Sequence, residues 1–228
     1  SGYYSLAMNK EFQFKLPVGA SALVDDYIGA MVLALSIILD RPDLKLYDFE
    51  HALVSDEIVP TLISILAPKL IGFAGCEGRT ELLFVQNGVV YLDDYAHHPT
   101  EIRTSLEQLR LAYPGHRLLV IFCLHTASRT RALFADFVQE LGRSDALIVQ
   151  KTYCSARNDE DNDDMLAKRL VDEIRRSYDI PIAYRDDDQE VVKLACGWLQ
   201  ERWLCITMGA GNNRSLGARI AQIHRSKQ

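Results

Sequence analysis

From residue 89 onward the sequence alternates short apolar runs with longer amphipathic stretches, and this alternation restricts the fold more than any other feature. The apolar runs predict strands at residues 89–92, 118–123, 146–150, 180–184 and 203–208. The stretches between them carry apolar residues at helical spacing and predict helices over 132–141, 165–178 and 190–200. Continuous apolar runs are typical of strands buried on both faces. The order therefore predicts an α/β fold with a parallel, doubly wound sheet.

The sequence before residue 81 has a different character. Alternating apolar residues predict a strand at 11–16, and helical spacing predicts helices over 28–38, 47–54 and 56–66. Residues 68–79 contain three glycines and are interpreted as a linker. After the linker, Asn87-Gly88 lies between two short apolar segments, which predicts a β-hairpin. We therefore expect two parts, residues 1–74 and residues 75–228.

Composition excludes several classes of function. The net charge of −6 makes the chain a poor electrostatic binder of nucleic acid. No apolar run reaches the roughly 18 residues of a membrane span, and no basic start is followed by an apolar block as in a signal peptide. The five cysteines are odd in number and none are spaced as C-x-x-C, which favours reduced thiols. We expect a cytoplasmic protein that binds neither nucleic acid nor membrane.

Ligands of doubly wound sheets bind beyond the carboxyl ends of the strands, so the segments after predicted strands are the candidate sites. The most unusual of these segments is residues 93–102, Asp-Asp-Tyr-Ala-His-His-Pro-Thr-Glu-Ile. Pro99 within it is suited to the first turn of a helix. Burying so many polar groups is costly unless they are satisfied. The segment is interpreted as a divalent metal site or as a nucleotide or substrate site.

Residues 93–102 resemble, nearly residue for residue, the D-D-Y-[AG]-H-H-P-T-E motif of the Mur ligases, in the form of the members that add L-alanine to UDP-N-acetylmuramate. The resemblance implies that Asp94 contacts the ATP ribose and that Tyr95 and His97 line the amino-acid site. Residues 123–130 resemble the family's Q-P-H-R-[YT]-[ST]-R-T segment, which implies that His125 and Arg129 bind the incoming amino acid. A guanidinium group suits the carboxylate of that amino acid.

Thr126 departs from this pattern, because it stands where the family has an additional arginine. A threonine hydroxyl supplies neither the forked geometry nor the charge of a guanidinium group. The departure leaves open which amino acid or peptide the site accepts.

Other parts of the chain also resemble the family. Residues 153–157 resemble Y-x-A-[RG]-E, and residues 208–213 resemble the terminal G-A-G-D-I with Asn212 in place of the Asp. Arg79 stands where the family has an arginine pair, which implies a contact with ATP phosphate. Residues 16–35 match the end of the family's central domain in position only, because its His-Asn pair is missing. Asp25 and Asp26 are interpreted as helix-capping residues.

The resemblance implies a Rossmann-like carboxy-terminal domain at residues 75–228, preceded by a small partial α/β segment of the central ATPase domain at 1–74. It implies an amide-forming ligase of peptidoglycan precursor synthesis that uses ATP, Mg²⁺, UDP-N-acetylmuramate and L-alanine. The chain contains no G-x-x-x-x-G-K-[ST] sequence. We therefore expect amino-terminal domains to be missing, the chain alone to be inactive and without tightly bound ATP or Mg²⁺, and no residue here to be catalytic or a metal ligand.

Other functions remain open from the sequence. Thr126 and the missing His-Asn pair favour a diverged, non-catalytic module that binds a nucleotide or an amino acid. A metal-dependent phosphoesterase would use Asp94, His97 and His98. A related ligase that adds a peptide shares the first motif, and His125 with Arg129 favours the alanine-adding type.

Overall fold

The protein, seen here in a computed structural model, is described at residues 3–7, 11–15, 77–152, 164–209, 211 and 213–225. The chain divides into two compact units, residues 1–75 and residues 76–228. In the first unit the described elements are β1 (Tyr3–Ala7) and β2 (Glu11–Lys15), which pair antiparallel. Strand β2 confirms the strand predicted at 11–16. The predicted helices over 28–38, 47–54 and 56–66, and the capping residues Asp25 and Asp26, lie outside the described residues.

The second unit alternates strands and helices along the chain. The strands are β3 (Glu81–Gln86), β4 (Val89–Asp94), β5 (Arg117–Cys123), β6 (Ala146–Gln150), β7 (Ile182–Arg185) and β8 (Trp203–Gly209). The helices are α1 (Pro99–Ala112), α2 (Ala127–Ala132), α3 (Phe134–Leu141), α4 (Asp164–Ser177), α5 (Asp188–Trp198) and α6 (Asn213–Arg225). Every strand predicted after residue 80 is confirmed. The helix predicted over 132–141 is confirmed as α3, which begins two residues later, and the short helix α2 before it was not predicted.

The strands form one six-stranded sheet in the order β3-β4-β8-β5-β6-β7. Strand β3 runs antiparallel to β4, and all the other pairs are parallel. The β3–β4 connection is the predicted hairpin, with Asn87 at φ 53° and Gly88 at φ 69°. Two consecutive positive φ values are those of a type I′ turn, which Asn-Gly favours.

Helices cover both faces of the sheet, which confirms the doubly wound, Rossmann-like fold. One apolar cluster packs α1, α3 and α4 against the first face, and the other packs α5 and α6 against the second. The chain therefore winds over one face from β4 to β7, and α5 then returns it over the other face to β8. None of the helices in the described ranges has the length and hydropathy needed to cross a membrane.

Strand β8 lies in the middle of the sheet, and at its carboxyl end Gly209 pairs with Cys123 of β5. Gly209 has φ 102°, a value that L side chains rarely adopt. A β carbon at this position would overlap the carbonyl oxygen of Cys123. Glycine at residue 209 thus allows the ends of the two central strands to lie side by side.

Replacing Gly209 with alanine is expected to destabilise the second unit by at least about 2 kcal/mol, because positive φ and backbone overlap add together. Gly197 in α5 is the matched control, since a β carbon there meets nothing within 4 Å. Gly197→Ala is expected to leave stability unchanged or to raise it by up to about 1 kcal/mol. Urea unfolding followed by the fluorescence of Trp198 and Trp203 measures both. Equal stabilities for the two variants would contradict the close approach of β5 and β8.

Candidate functional site

Two loops meet beyond the carboxyl ends of β4 and β5, and they carry three of the residues predicted to bind an amino acid. The Tyr95 and His97 rings lie with their centroids 5.0 Å apart at 75°, and the His97 and His125 rings lie 5.2 Å apart at 67°. Both contacts are edge-to-face, which is a favoured arrangement of aromatic rings. The structure therefore places Tyr95, His97 and His125 in one continuous array, and their ligand role stays a prediction.

His97 is oriented by its own loop. Its Nδ1 lies 2.8 Å from the carbonyl oxygen of Tyr95. A carbonyl only accepts hydrogen bonds, so Nδ1 carries the proton and Nε2 is the acceptor in the neutral ring. Tyr95 is exposed, with 46% of its surface accessible. The Tyr95 ring is therefore exposed to solvent beside the His97 ring, whose Nε2 is the acceptor.

Asp94, predicted to contact a ribose, is buried at the end of β4 with both carboxylate oxygens in use. Its Oδ1 accepts a hydrogen bond from the Ala96 amide at 2.8 Å. Its Oδ2 accepts two, from the hydroxyls of Thr80 at 2.8 Å and Ser105 at 2.6 Å. These three donors belong to the turn before β3, the loop after β4 and helix α1, so Asp94 joins three elements.

Asp93 lies next to it in a different environment. Its Oδ1 accepts a 2.6 Å hydrogen bond from the hydroxyl of Thr207 in β8. Burial raises the pKa of Asp93, the Thr207 hydrogen bond opposes that rise, and the negative charges of Asp94 and Glu81 add to it. Asp93 therefore ionises less readily than a solvent-exposed aspartate.

The second half of the motif begins helix α1. His98 is the N-cap, with its Nδ1 accepting from the Thr100 amide at 3.2 Å, and Pro99 is the first helical residue. The Glu101 carboxylate accepts from the His97 and His98 amides at 2.9 and 3.1 Å, completing a capping box. Burial alone would raise the pKa of Glu101, but these amide hydrogen bonds and the charges of His97 and Arg79 lower it. The helix predicted to open at Pro99 is confirmed.

Arg79, predicted to contact phosphate, is exposed on the turn at residues 77–80. The Gly78 carbonyl in this turn accepts a 2.7 Å hydrogen bond from the Tyr95 amide. The positive charge of Arg79 also contributes to the lowered pKa of Glu101. The structure thus brings Arg79 to the same edge as Asp94, and its phosphate role stays a prediction.

Arg129 lies on α2, four residues after His125. Its Nη1 is buried, and no hydrogen-bond acceptor among the described residues is within reach of it. An unsatisfied buried donor is costly, and more so on a charged group. Thr126 is the N-cap of α2 without a side-chain capping bond, and its carbonyl accepts from the amide and hydroxyl of Thr130 at 3.1 and 2.9 Å. Among the described residues, Arg129 Nη1 therefore has no hydrogen-bond acceptor.

Four residues that support the site were not predicted from the sequence: Thr80, Ser105, Thr207 and Arg214. Arg214 on α6 binds the Glu81 carboxylate at 2.8 and 3.3 Å and lies 3.4 Å from that of Glu77. The hydrogen bond from Arg214 is the main cause of the lowered pKa of Glu81, and burial opposes it. Serine, threonine and surface arginine are common, so no sequence signal distinguished them.

The remaining predicted segments are described in part. Residues 153–157, Ala210 and Asn212 lie outside the described residues, whereas Gly209 ends β8. Of the residues that a metal-dependent phosphoesterase would use, His98 is the helix cap, and Asp94 accepts from the three donors above. Within the part of the chain that the structure describes, no three His, Cys, Asp or Glu side chains are grouped as metal ligands.

Comparisons with known proteins agree on one family. Residues 78–211 match the family model described as Mur ligase, glutamate ligase domain. The chain is 34% identical over 185 residues to a UDP-N-acetylmuramate–L-alanine ligase of Borreliella burgdorferi, covering 81% of this chain and 36% of that protein. It is 33% identical over 210 residues to the enzyme of the same name from Treponema pallidum, covering 91% and 40%.

A solved structure shows the same fold. The UDP-N-acetylmuramate-alanine ligase of Thermotoga maritima superposes with a TM-score of 0.68 at 18% identity, covering 96% of this chain and 41% of that one. The chain thus spans 36% to 41% of the length of these relatives.

The two adjacent aspartates are expected to respond oppositely to amidation. In Asp94→Asn the charge and one acceptor oxygen are lost, so the hydrogen bonds from Thr80 and Ser105 or the one from Ala96 must reverse or break, which costs about 1–3 kcal/mol of unfolding free energy. In Asp93→Asn the remaining carbonyl still accepts from Thr207, and a charge that burial disfavours is removed. Asp93→Asn is therefore expected to be neutral or stabilising at pH 7.

The pH dependence gives a second test of the same pair. Because the pKa of Asp93 is raised above 3.8 in the folded state, Asp93 ionises more easily in the unfolded state. Its ionisation therefore lowers the free energy of unfolding, and this effect is absent below pH 3.8. The contribution grows as pH rises through the raised folded pKa. Urea unfolding of the wild type and Asp93→Asn from acid to neutral pH should show the variant gaining relative stability as pH rises. The opposite trend would contradict the assignment.

Proposed function

The chain belongs to the Mur ligase family, and from this membership we propose that it forms the amino-acid-accepting part of an ATP-dependent, amide-forming ligase of peptidoglycan precursor synthesis. The proposed substrates are ATP, UDP-N-acetylmuramate and L-alanine, or a related amino acid or peptide. Residues 75–228 would be its carboxy-terminal domain and residues 1–74 part of its central ATPase domain. The proposed location is the cytoplasm.

The observation that carries this proposal is the convergence of Tyr95, His97 and His125 from two separate loops. Their rings lie beyond the carboxyl ends of β4 and β5, where doubly wound folds bind ligands. His97 donates through Nδ1 to the Tyr95 carbonyl, so its Nε2 can accept a hydrogen bond from an amine. The arrangement suits a small acceptor whose amino group must be held with its lone pair available for attack.

Arg129 supports the same acceptor through its carboxylate. The buried Nη1 has no acceptor among the described residues, and a ligand carboxylate would supply one. Because residue 126 is threonine, Arg129 is the one arginine in residues 123–130. Its single positive charge matches a single carboxylate. This balance favours an amino acid with a single carboxylate, such as L-alanine.

ATP would supply the phosphoryl group that activates the carboxylate to which the acceptor amine is joined. The 228 residues contain no G-x-x-x-x-G-K-[ST] sequence, so we propose the catalytic step for the complete ligase only, with Arg79 as an additional phosphate contact. Exposed Arg79 fits a phosphate group. Asp94 fits a ribose less well, because three of its roughly four acceptor positions are taken.

Removing the Arg129 guanidinium group is expected to abolish recognition of a carboxylate. Arg129→Ala should weaken L-alanine binding at least about tenfold, since a charged hydrogen bond is worth about 1.5–3 kcal/mol. L-alaninamide, which lacks the carboxylate, should bind the wild type and the variant alike. Titration of the ¹⁵N-labelled chain followed by NMR measures affinities into the millimolar range.

Arg131→Ala is the matched control, since it removes a neighbouring exposed arginine from α2 and should leave L-alanine binding unchanged. Unchanged L-alanine binding in Arg129→Ala would contradict the proposed acceptor site. L-alanine binding that depends on Arg129, combined with no ligation by the complete protein, would identify a non-catalytic module instead.

A further inference from the structure

Thr80 holds a backbone conformation that its side chain disfavours. Its φ is 44°, in the left-handed region that β-branched residues rarely occupy. The other non-glycine residues with positive φ in the described ranges are Asn87 and Arg202, and neither is β-branched. Strain of this kind persists where the surroundings fix it, and it is concentrated at functional sites. Thr80 is also the residue between Arg79 and strand β3.

The Thr80 hydroxyl supplies the interaction that fixes this turn. It donates a 2.8 Å hydrogen bond to Asp94 Oδ2. The Tyr95 amide donates to the Gly78 carbonyl at 2.7 Å, and the Gly78 amide donates to Glu81 Oε2 at 3.0 Å. Two of these three bonds join the turn to Asp94 and Tyr95 of the motif. A positive φ is unfavourable for threonine, so an additional interaction such as this side-chain hydrogen bond is needed to maintain it.

The same contacts limit what Asp94 can do directly. A carboxylate has about four acceptor positions, and three are taken by Ala96, Thr80 and Ser105. Asp94 is also only 4% exposed. It can accept at most one further hydrogen bond, whereas the two hydroxyls of a ribose offer two. Its described contacts therefore serve mainly to anchor neighbouring elements.

We propose that Thr80 is a positioning residue whose hydroxyl fastens the Arg79-bearing turn to Asp94, so that the Arg79 guanidinium group is held at the site edge before any ligand arrives. Arg79 is exposed, and its charge already lowers the pKa of Glu101 at the start of α1. The ligand class is a phosphate-bearing nucleotide. This assignment of Thr80 rests on the nucleotide role proposed above for Arg79.

Thr80→Val tests the fastening, because valine keeps the β-branched shape and removes the hydroxyl. The Tyr95 amide donates to the turn, and the Gly78 amide donates within it, to Glu81. Both amides are expected to exchange with solvent at least about tenfold faster in the variant. Ser105→Ala is the matched control, since it removes a hydroxyl from the same Oδ2 without touching the turn. It should leave the exchange of both amides close to that of the wild type.

Two further measurements separate a positioning role from general loss of structure. Thr80→Ser, which keeps the hydroxyl, should restore slow exchange. The Ile206 amide, in the centre of the sheet, should exchange at the wild-type rate in all three variants. Unchanged exchange in Thr80→Val, or equal acceleration in Ser105→Ala, would overturn the proposal.

Titration with Mg²⁺-ATP then tests whether Thr80 acts through Arg79. By NMR, Thr80→Val and Arg79→Ala should each weaken binding, and the double variant should bind no more weakly than Arg79→Ala alone. Additive losses would overturn the coupling. If the wild type shows no response to Mg²⁺-ATP, the nucleotide role of Arg79 fails, while the exchange experiment still decides whether Thr80 fastens the turn.

Discussion

The candidate site depends on the insertion of β8 between β4 and β5. Helix α5 returns the chain over the second face, and β8 then pairs in parallel with both strands, with Met208 level with Asp94 on one side and Phe122 on the other. Strands on either side of a third lie about 10 Å apart. The loops after β4 and β5 therefore face each other across one strand. Tyr95, His97 and His125 bridge that gap with two edge-to-face contacts.

Within this frame the residues of the first motif have separate tasks. His98, Pro99 and Glu101 start helix α1, and Asp94 ties that helix to the turn before β3. Tyr95 and His97 are left to face the neighbouring loop. Each buried carboxylate needs hydrogen-bond donors close by. Some of the polar residues in this motif are therefore explained by structure alone. Fewer residues of the motif are available to contact a ligand than its length suggests.

Sequence reasoning predicted the sheet well because burial on both faces leaves a direct signature, the continuous apolar run. It also placed the hairpin at Asn87-Gly88 and the start of α1 at Pro99, where local backbone chemistry decides. It did not predict α2 or α6. The hydrogen bonds from Thr80 and Thr207 to the aspartates span 14 and 114 residues and leave no periodic pattern. Such contacts depend on register between strands, which only the folded chain defines.

Charge explains why these local contacts matter for recognition. The chain carries a net charge of −6, so its overall field does not attract the anionic ligands proposed for it. Exposed charges are screened beyond about 8–10 Å at physiological salt, which leaves recognition to cations fixed at the site itself. Arg79 on a turn fastened to Asp94, and Arg129 with a buried, unsatisfied nitrogen, are two such cations. A cation that is already positioned loses little further freedom when an anion binds, and the proposed role of the Thr80–Asp94 hydrogen bond is to provide this pre-organisation for Arg79.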